Sequence, residues 1–564
     1  MSVATFAALA GCSGCSCEDE APPADAGAQD GGDLDAGDRP DASGDPCSPP
    51  AHDDPPPVCE GTPAPGVVVQ EWVVPTPPPP PNPTTGDETP ADLDRVRVMR
   101  YRPDPPANDV HAILLLIPGF LGGANSFDSV ARRVVAASGG TVEVWAIDRR
   151  SNFLEDLIGM QAAEQSGNPD MAVGYYFGGA SIAGRTFAGF PVQEDLGHVS
   201  EWGLSTFVAD LRAVVESIPA VSRSTNLFIG GHSLGGSLAQ IYSAWDLAGT
   251  AASSELAGVV LLDGSVSGEG ITRAEYHAGT GAVGFATPGV DEIRDGTGDR
   301  TSTLPFIGTD LLASLEILGM RAFFDPYGIS CDENVDDFLS ILYGIRPWAT
   351  HTAILGFMVD EAFAPIAITA MRVGDGAGGP FEQQEFDVGG LSLAYRAPTD
   401  QAAVYYWLDH ESIDPPDLAC IRTSARIQFA GPTNFAEWYF PNRLSLDVAA
   451  VGDLAVSGAG DDYRWDEEDL RVTRAADMDA PVLAVAAGSG VATDAAAYEA
   501  YRTAIAATTR DGATREEDAG FRVLVLADYW HLDPVVAETE EPAASIAAFL
   551  EANREGTVNV EGIE

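Results

Sequence analysis

Apolar runs alternate with helix-like segments from about residue 91 onward, and this rhythm constrains the fold more than any other feature of the chain. His111 to Ile117 reads HAILLLI and stops at a Pro-Gly pair, which predicts a buried strand. Alternation of this kind implies an α/β fold, with a mainly parallel sheet covered by helices on both faces. Further strands are predicted around 96–98, 141–147, 226–229, 256–262, 481–486 and 521–527, and helices at 126–138, 204–218, 234–245, 494–507 and 545–552.

The rhythm stops at residue 265 and returns at about residue 476. The roughly 210 residues between them are rich in aromatic side chains but show no regular strand–helix pattern. We interpret 265–475, called the inserted segment below, as a large cap inserted into one parallel-sheet core formed by 91–264 and 476–564. The alternative is a separate binding domain that interrupts the same sheet.

The composition of residues 18–90 differs from that of the rest of the chain. This stretch holds 19 of the 40 prolines, 16 acidic residues and one arginine. A run of prolines favours extended structure, and the acidic side chains repel one another. The sequence therefore predicts a disordered acidic, Pro-rich linker over 18–90.

The first 17 residues resemble the leader of a bacterial lipoprotein. Leu9-Ala10-Gly11-Cys12 is similar to a lipobox, in which cleavage leaves Cys12 as the lipidated first residue, although no Arg or Lys precedes the apolar stretch. The resemblance implies an exported protein, anchored in the cell envelope and held away from the membrane by the linker. The alternatives are a secreted soluble protein and a short disordered apolar tail.

The cysteine count agrees with export. If Cys12 carries lipid, an even number remains, as expected for disulfides in an oxidising compartment. Cys47 with Cys59 and Cys331 with Cys420 are natural pairs, although the sequence leaves the connectivity open. No metal site is expected, because no cluster of His and Cys has zinc-binding spacing. The remaining cysteines are Cys15, Cys17, Cys47, Cys59, Cys331 and Cys420.

The charge of the chain argues against a nucleic-acid partner. The formal net charge is −55, from 85 acidic and 30 basic residues, and every basic residue is an arginine. Such a surface repels phosphate backbones. No apolar run reaches the roughly 18 residues that span a bilayer.

The motif Gly231-His232-Ser233-Leu234-Gly235 fits G-x-S-x-G. With 60 glycines in the chain, the motif alone is weak evidence. Its context is stronger, because it follows an apolar strand and opens a helix of small residues. A serine on such a turn is exposed above the sheet on a strained backbone, which predicts that Ser233 is a nucleophile.

A serine hydroxyl needs a base to remove its proton, and His531 is the best placed of the eight histidines. It follows the last predicted strand and therefore lies at the carboxyl edge of the sheet, the edge that also carries Ser233. His232 belongs to the motif itself, where the side chain is expected to point away from the substrate. The remaining histidines lie in the linker, at the start of a strand, in a loop or in the inserted segment, and a structural role is the simpler interpretation for them. They are His52, His111, His198, His277, His351 and His410.

An oxyanion hole requires backbone N–H groups directed at the developing negative charge. One is expected from Leu234, which follows the nucleophile. The other is expected from Phe120, in the glycine-rich loop 118–123 after the strand that ends at Ile117. An ordinary glycine turn is the alternative for this loop.

The order of glycine loop, G-x-S-x-G turn, insertion and late histidine resembles the α/β-hydrolase superfamily over 91–264 and 476–564. The resemblance implies ester hydrolysis through an acyl-enzyme, without a cofactor. It also implies an acid after the strand at 481–486, often as Gly-x-x-Asp, but here Gly488 is followed three residues later by Val491. Asp494 is the nearest carboxylate and is favoured. Asp263, at the end of the strand before the insertion, is the alternative.

Three functions remain open at this point. The first is a carboxylic-ester hydrolase of lipase or esterase type, whose ester substrate carries an apolar acyl group. The second is a peptidase or a hydrolase of polymeric esters, since one fold serves many substrates. The third is a non-catalytic surface binding protein. Aromatic residues of the inserted segment would line an acyl pocket or form that segment's own core: Trp348, Tyr405, Tyr406, Trp407, Trp438, Tyr439 and Phe440.

Overall fold

The computed structural model describes most of the chain from residue 49 to residue 563. The residues of this range that it does not describe are 51, 53, 267, 269, 280–286, 303–307, 331–342, 344, 389–390, 453 and 459–461. The predictions for residues 1–17, including Cys12, and for 18–48 lie outside the described residues.

Eight strands form one central sheet. The central strands are buried on both faces, and all six residues of the strand Ala112–Ile117 are buried. This burial agrees with their continuous apolar sequences, which are typical of a sheet that is covered on both sides. The strands are β1 Val67–Pro75, β2 Arg95–Pro103, β3 Ala112–Ile117, β4 Val142–Asp148, β5 Leu227–His232, β6 Gly258–Leu262, β7 Val482–Ala487 and β8 Phe521–Leu526.

The order of strands across this sheet is β1-β2-β4-β3-β5-β6-β7-β8. Strands β4, β3, β5, β6, β7 and β8 are parallel, whereas β2 is antiparallel to both of its neighbours. The predicted mainly parallel sheet is therefore confirmed. Because parallel strands end at the same edge, the loops after β3, β5, β6, β7 and β8 all open on one side of the molecule.

Helices cover both faces of the sheet. The connection from β3 to β4 runs across the sheet in one direction, and the later connections between parallel strands run in the other. Because such crossovers are right-handed, the helix between β3 and β4 lies on one face of the sheet and the helices of the later connections lie on the other. That helix, α1, packs against the C-terminal helix α4, while α3 packs against β3, β5 and β6. The bounds are α1 Asp128–Ala137, α2 Leu204–Glu216, α3 Leu234–Ser243 and α4 Ala543–Asn553.

The first strand, β1, corrects the prediction of a disordered linker over 18–90. Residues 67–75 pair with β2 along their whole length, from Val67 opposite Pro103 to Pro75 opposite Arg95. Trp72 of β1 also packs edge to face on Trp145 of β4, with ring centroids 5.6 Å apart. The proline and acid content of the whole stretch concealed this short run of valines, whose branched side chains favour a strand.

The inserted segment contains its own helices and small sheets between β6 and β7. A three-stranded sheet pairs Val404–Asp409 with two shorter strands, and a hairpin pairs Phe381–Val388 with Leu391–Pro398. These strands are separated by irregular loops and do not alternate regularly with helices, which is why the sequence shows no rhythm there. Among the described residues of this segment, the helices of seven residues or more are Thr309–Phe324, His351–Val359, Ile421–Ile427 and Asn442–Val451.

The helix predicted over 494–507 is shorter than expected. A 3-10 turn spans Ala495–Tyr498, and the α-helix covers only Glu499–Ala504. Within the described residues, no helix has both the length and the apolar character needed to cross a membrane.

One disulfide joins the start of the described chain to the inserted segment. Cys59 bonds to Cys420, with their Cα atoms 5.9 Å apart and a sequence separation of 361 residues. The expected pairs Cys47–Cys59 and Cys331–Cys420 are therefore wrong. Sequence proximity suggested them, whereas the fold brings together residues from distant parts of the chain.

We expect the Cys59–Cys420 disulfide to stabilise the folded chain, because closing so long a loop restricts the unfolded state. Disulfides of this kind contribute about 2–4 kcal/mol. Thermal unfolding with and without a reducing agent should show a melting temperature several degrees lower on reduction. The double variant Cys59→Ser, Cys420→Ser should melt at the lower temperature in both conditions. A melting temperature unaffected by reduction would contradict this role.

Candidate active site

Ser233 occupies the sharp turn between β5 and α3. Strand β5 ends at His232 and α3 begins at Leu234, so one residue joins the two elements. Its φ is 55° and its ψ is −125°, a left-handed conformation that is strained for a residue with a side chain. Strain retained at a single residue of this kind is typical of functional positions.

Glycines make this turn possible because backbones pass too close for any side chain. A Cβ atom built on Gly235 would lie 1.9 Å from the carbonyl oxygen of Ile117, and one on Gly264 would lie 2.0 Å from that of Ser233. A Cβ atom on Gly231 would lie 2.3 Å from the backbone of Gly235. The turn therefore requires glycine at each of these positions.

His531 lies in the loop after β8 and is held against Asp263. Its Nδ1 atom is 2.6 Å from Oδ2 of Asp263, and both side chains are buried. Asp263 directly follows β6, so the histidine and the carboxylate come from strand ends at the same edge of the sheet. A charge-assisted hydrogen bond of this length is strong and fixes the orientation of the imidazole ring.

The surroundings of Asp263 favour its charged form. Burial alone would raise its pKa, but the hydrogen bond and the charge of His531 lower it, as do hydrogen bonds from the backbone N–H groups of Val491 and Ala492. Both N–H groups lie 2.9 Å from the carboxylate oxygens. The net effect is a lowered pKa, so Asp263 is ionised at neutral pH.

Asp494, the acid favoured from the sequence, does not contact His531. Its side chain is exposed and accepts a hydrogen bond from the N–H of Ala496 at 2.8 Å, where it caps the 3-10 turn Ala495–Tyr498. The choice of Asp494 is therefore corrected to Asp263. Asp494 lies several residues after β7, and its carboxylate is bonded instead to the N–H of Ala496 in the 3-10 turn that it caps.

His232 has a supporting position that the sequence did not reveal. Its side chain is buried, and its Nε2 atom lies 2.7 Å from the carbonyl oxygen of His531. Burial, together with the positive charge of His531 when protonated, lowers the pKa of His232 to about 3. His232 is therefore neutral and donates a hydrogen bond that anchors the backbone of His531 beside the Ser233 turn.

Asp533 also fixes the loop that carries His531. Its carboxylate is fully buried and accepts hydrogen bonds from the N–H of Trp530 at 2.7 Å and from the N–H of Arg372 at 2.9 Å. Arg372 belongs to the inserted segment, so this contact joins the insertion to the histidine loop. Burial raises the pKa of Asp533 to about 7.

The two N–H groups expected to form an oxyanion hole flank the nucleophile. Leu234 is the first residue of α3, where a backbone N–H has no partner within the helix. In the described part of the chain, neither this N–H nor that of Phe120 donates a hydrogen bond. A Cβ atom built on Gly119 would lie 3.1 Å from Cβ of Ser233, so the loop 118–123 passes directly against the nucleophile.

Comparison with known proteins supplies no relative by sequence. No family model and no curated protein matches the chain. Among solved structures, it is similar to a lipase candidate from Sulfolobus solfataricus, with 14% identity, 87% of this chain and 96% of that chain covered, and a TM-score of 0.43. It is also similar to a peroxisomal alpha-beta-hydrolase from Saccharomyces cerevisiae, with 9% identity, 87% of this chain and 90% of that chain covered, and a TM-score of 0.36. A third similar structure is a thermophilic esterase from Thermogutta terrifontis, with 10% identity, 86% of this chain and 100% of that chain covered, and a TM-score of 0.33.

The strand order of the central sheet and the serine turn after β5 decide the architecture. The fold is that of the α/β-hydrolases. In this fold the turn after β5 exposes a serine at the carboxyl edge, and here Asp263 and His531 reach the same edge from β6 and β8.

The described residues contain two groups with metal-ligand character, and both lie outside this arrangement of Ser233, His531 and Asp263. One group comprises Cys59, Asp409 and His410, but the sulfur of Cys59 is used in the disulfide. The other comprises Asp360, Glu361 and Asp417, where the guanidinium of Arg372 pairs with Asp417 at 2.8 Å.

The aromatic residues of the inserted segment have two different environments. Trp348, Tyr405 and Trp407 are buried on its three-stranded sheet, which makes them part of the segment's own core. Phe440 instead packs on Phe120 of the loop 118–123, with ring centroids 4.9 Å apart. Phe440 therefore lies against the loop that approaches Ser233.

We expect Asp263→Asn to remove the strong hydrogen bond to His531. In proton NMR, the far-downfield signal of the histidine Nδ1–H should disappear, and any hydrolytic kcat should fall by about 10⁴-fold, as when a triad aspartate becomes asparagine. Asp494→Asn is the matched control and should keep both the signal and the rate. The reverse outcome would restore Asp494 as the partner of His531.

Proposed function

We propose that this protein is a serine hydrolase that cleaves carboxylic esters through an acyl-enzyme. The observation that supports it most directly is the 2.6 Å contact between His531 Nδ1 and Asp263, beside the strained turn of Ser233. A strained backbone is typical of functional positions, and the buried, ionised Asp263 is held directly against the imidazole of His531.

In the first half of the reaction, His531 acts as the general base. Its Nδ1–H donates to Asp263, which leaves Nε2 free to accept the proton of the Ser233 hydroxyl. The serine oxygen attacks the ester carbonyl, and the carbonyl oxygen becomes an oxyanion. Asp263 stabilises the imidazolium that forms, because its lowered pKa keeps it ionised.

The oxyanion is stabilised by backbone N–H groups of Phe120 and Leu234, which approach from the loop after β3 and from the start of α3. Collapse of the tetrahedral intermediate breaks the ester bond, and His531 returns its proton to the leaving alcohol. Water then attacks the acyl-enzyme with His531 again as base. The carboxylic acid is released and the hydroxyl of Ser233 is restored.

The substrate is proposed to carry an apolar acyl group. The ring of Phe120 lies at the oxyanion loop and packs on Phe440. The neighbouring Trp438 packs on Tyr176 and Phe190, with ring centroids 5.8 and 5.9 Å apart. Apolar and aromatic walls with a few polar groups are typical of small-molecule sites.

We expect Ser233→Ala to abolish hydrolysis of p-nitrophenyl esters, because loss of a nucleophile of this kind costs about 10⁶-fold in rate. Ser237→Ala is the matched control. It removes another hydroxyl of the same region, on α3, which is buried and makes no hydrogen bond to the described residues. Activity above a tenth of wild type in Ser233→Ala would exclude the assignment.

A panel of esters, peptides and polymeric esters, assayed with the wild-type enzyme, determines the substrate class. Hydrolysis of short and long acyl esters with no cleavage of matched peptides is expected. Preferential peptide cleavage would point to a peptidase. A wild-type protein that neither turns over any substrate nor reacts with a fluorophosphonate would be a binding protein.

We further propose that the protein is exported and anchored through lipid on Cys12. The lipobox-like Leu9 to Cys12 and the acidic, Pro-rich stretch that follows support this proposal. The Cys59–Cys420 disulfide also supports it, because such bonds persist in oxidising compartments.

Expressed with its own N-terminus in a bacterial host, the protein is expected to partition with membranes and to incorporate labelled palmitate. Cys12→Ser should release it or block processing, because the lipid is attached through this sulfur. Cys15→Ser, three residues away, is the control and should leave the anchor intact. Equal membrane partitioning of both variants would count against the lipobox.

A further inference from the structure

The oxyanion loop, defined as residues 118–123, is held from outside by one buried guanidinium. Arg149 follows β4 and directs its Nη2 atom at the carbonyl oxygens of Pro118 and Gly119, at 2.5 and 2.9 Å. Its Nη1 atom donates to the carbonyl oxygen of Gly122 at 2.9 Å. Three of the six carbonyl groups of the loop therefore converge on a single side chain.

The inserted segment holds Arg149 in place. Oε2 of Glu437 lies 2.7 Å from Nη1 of Arg149, and the exposed fractions of the two side chains are 3% and 0%. The other oxygen of Glu437 accepts a hydrogen bond from the hydroxyl of Ser151. The guanidinium also lies over the ring of Phe440, 4.8 Å from its centroid. This ion pair therefore has hydrogen-bond partners on both sides, as a buried pair requires.

The backbones of the loop and the inserted segment are also paired. The N–H of Glu437 donates to the carbonyl oxygen of Leu121 at 2.8 Å, and the N–H of Gly123 donates to that of Phe435 at 2.9 Å. Leu121 has a φ of 53°, so the loop turns sharply where these contacts hold it. The shape of the loop thus depends on a segment more than 300 residues further along the chain.

The contact with Gly119 has a direct consequence for the N–H of Phe120. The carbonyl of Gly119 and the N–H of Phe120 belong to one planar trans peptide unit, so they point in opposite directions. A guanidinium that holds the carbonyl therefore fixes the direction of the N–H. A misdirected N–H group would stabilise an oxyanion poorly, because this interaction depends on preorganised geometry.

We propose that Arg149 and Glu437 are positioning residues for the oxyanion hole, and that the inserted segment completes this hole through them. This inference rests on the proposed hydrolase function. It assigns the insertion a role in transition-state stabilisation, in addition to any role in covering the site. Arg149 acts through the peptide unit of Phe120 and does not need to touch the substrate.

The test compares Arg149→Lys with Arg150→Lys. Arg150 is the next residue, its side chain is also 3% exposed, and its hydrogen bonds go to Asp210 and other groups away from the loop. The two variants thus share the loss of a buried arginine. Lysine keeps the charge but cannot hold three carbonyl groups and a carboxylate at once.

With Arg149→Lys we expect kcat on an ester to fall about 100- to 1000-fold, as for loss of an oxyanion-hole donor, with little change in KM. Inhibition by a trifluoromethyl ketone, whose adduct with Ser233 carries the same oxyanion, should weaken by a similar factor. Arg150→Lys should lower the melting temperature comparably but leave kcat and the inhibition constant within a few-fold. Purely structural damage would not produce this selective loss.

Glu437→Gln keeps the test decisive if Arg149→Lys fails to fold, because glutamine has nearly the same shape but loses the charge and one of the two acceptor oxygens. We expect a fall of about tenfold in kcat and in ketone affinity. The proposal is overturned if Glu437→Gln and any folded Arg149→Lys behave like Arg150→Lys in both measurements. Failure of the hydrolase function itself is distinguishable, because the wild type would then neither hydrolyse esters nor react with a fluorophosphonate.

Discussion

The hydrogen-bond ladder of the parallel sheet extends one residue beyond β5 and β6, and the candidate site depends on this extension. The N–H of Ser233 donates to the carbonyl oxygen of Leu262 at 3.0 Å, and the N–H of Asp263 donates to that of Val485 at 2.8 Å. The serine and the acid are thereby fixed by main-chain bonds to neighbouring strands. His531 then needs only to reach Asp263 from the loop after β8 to complete the arrangement.

The inserted segment contacts both loops of this arrangement, the oxyanion loop and the loop that carries His531. Residues 435–440 pair with the oxyanion loop, and residues 370–372 pair with the histidine loop, where the N–H of Leu532 donates to the carbonyl oxygen of Ala370. Loops carry function only when a scaffold holds them in position. Here the insertion supplies much of that scaffold, which explains why so long a segment between β6 and β7 is compatible with the site.

Arginine is the only residue type that supplies the 30 basic side chains, and several of these arginines form buried ion pairs in the fold. Buried pairs join Arg97 to Asp148, Arg149 to Glu437 and Arg443 to Glu468. A guanidinium remains charged when buried and presents several donors in one plane, so it can hold carbonyl groups and a carboxylate together.

The sequence by itself determined the alternating strands, the serine turn, the glycine loop with Phe120 and the position of His531, because each leaves a short-range pattern. It could not determine the acid, since Asp263 and Asp494 both follow buried strands, and only the neighbouring strands and local turns decide which carboxylate meets the histidine. It also missed β1, the Cys59–Cys420 pairing and the contact of Arg149 with Glu437, 288 residues apart. The valines of β1 were concealed by the surrounding prolines and acids, whereas the disulfide and the ion pair leave no periodicity or motif in the chain. They exist only because the folded sheet and the inserted segment bring distant residues together.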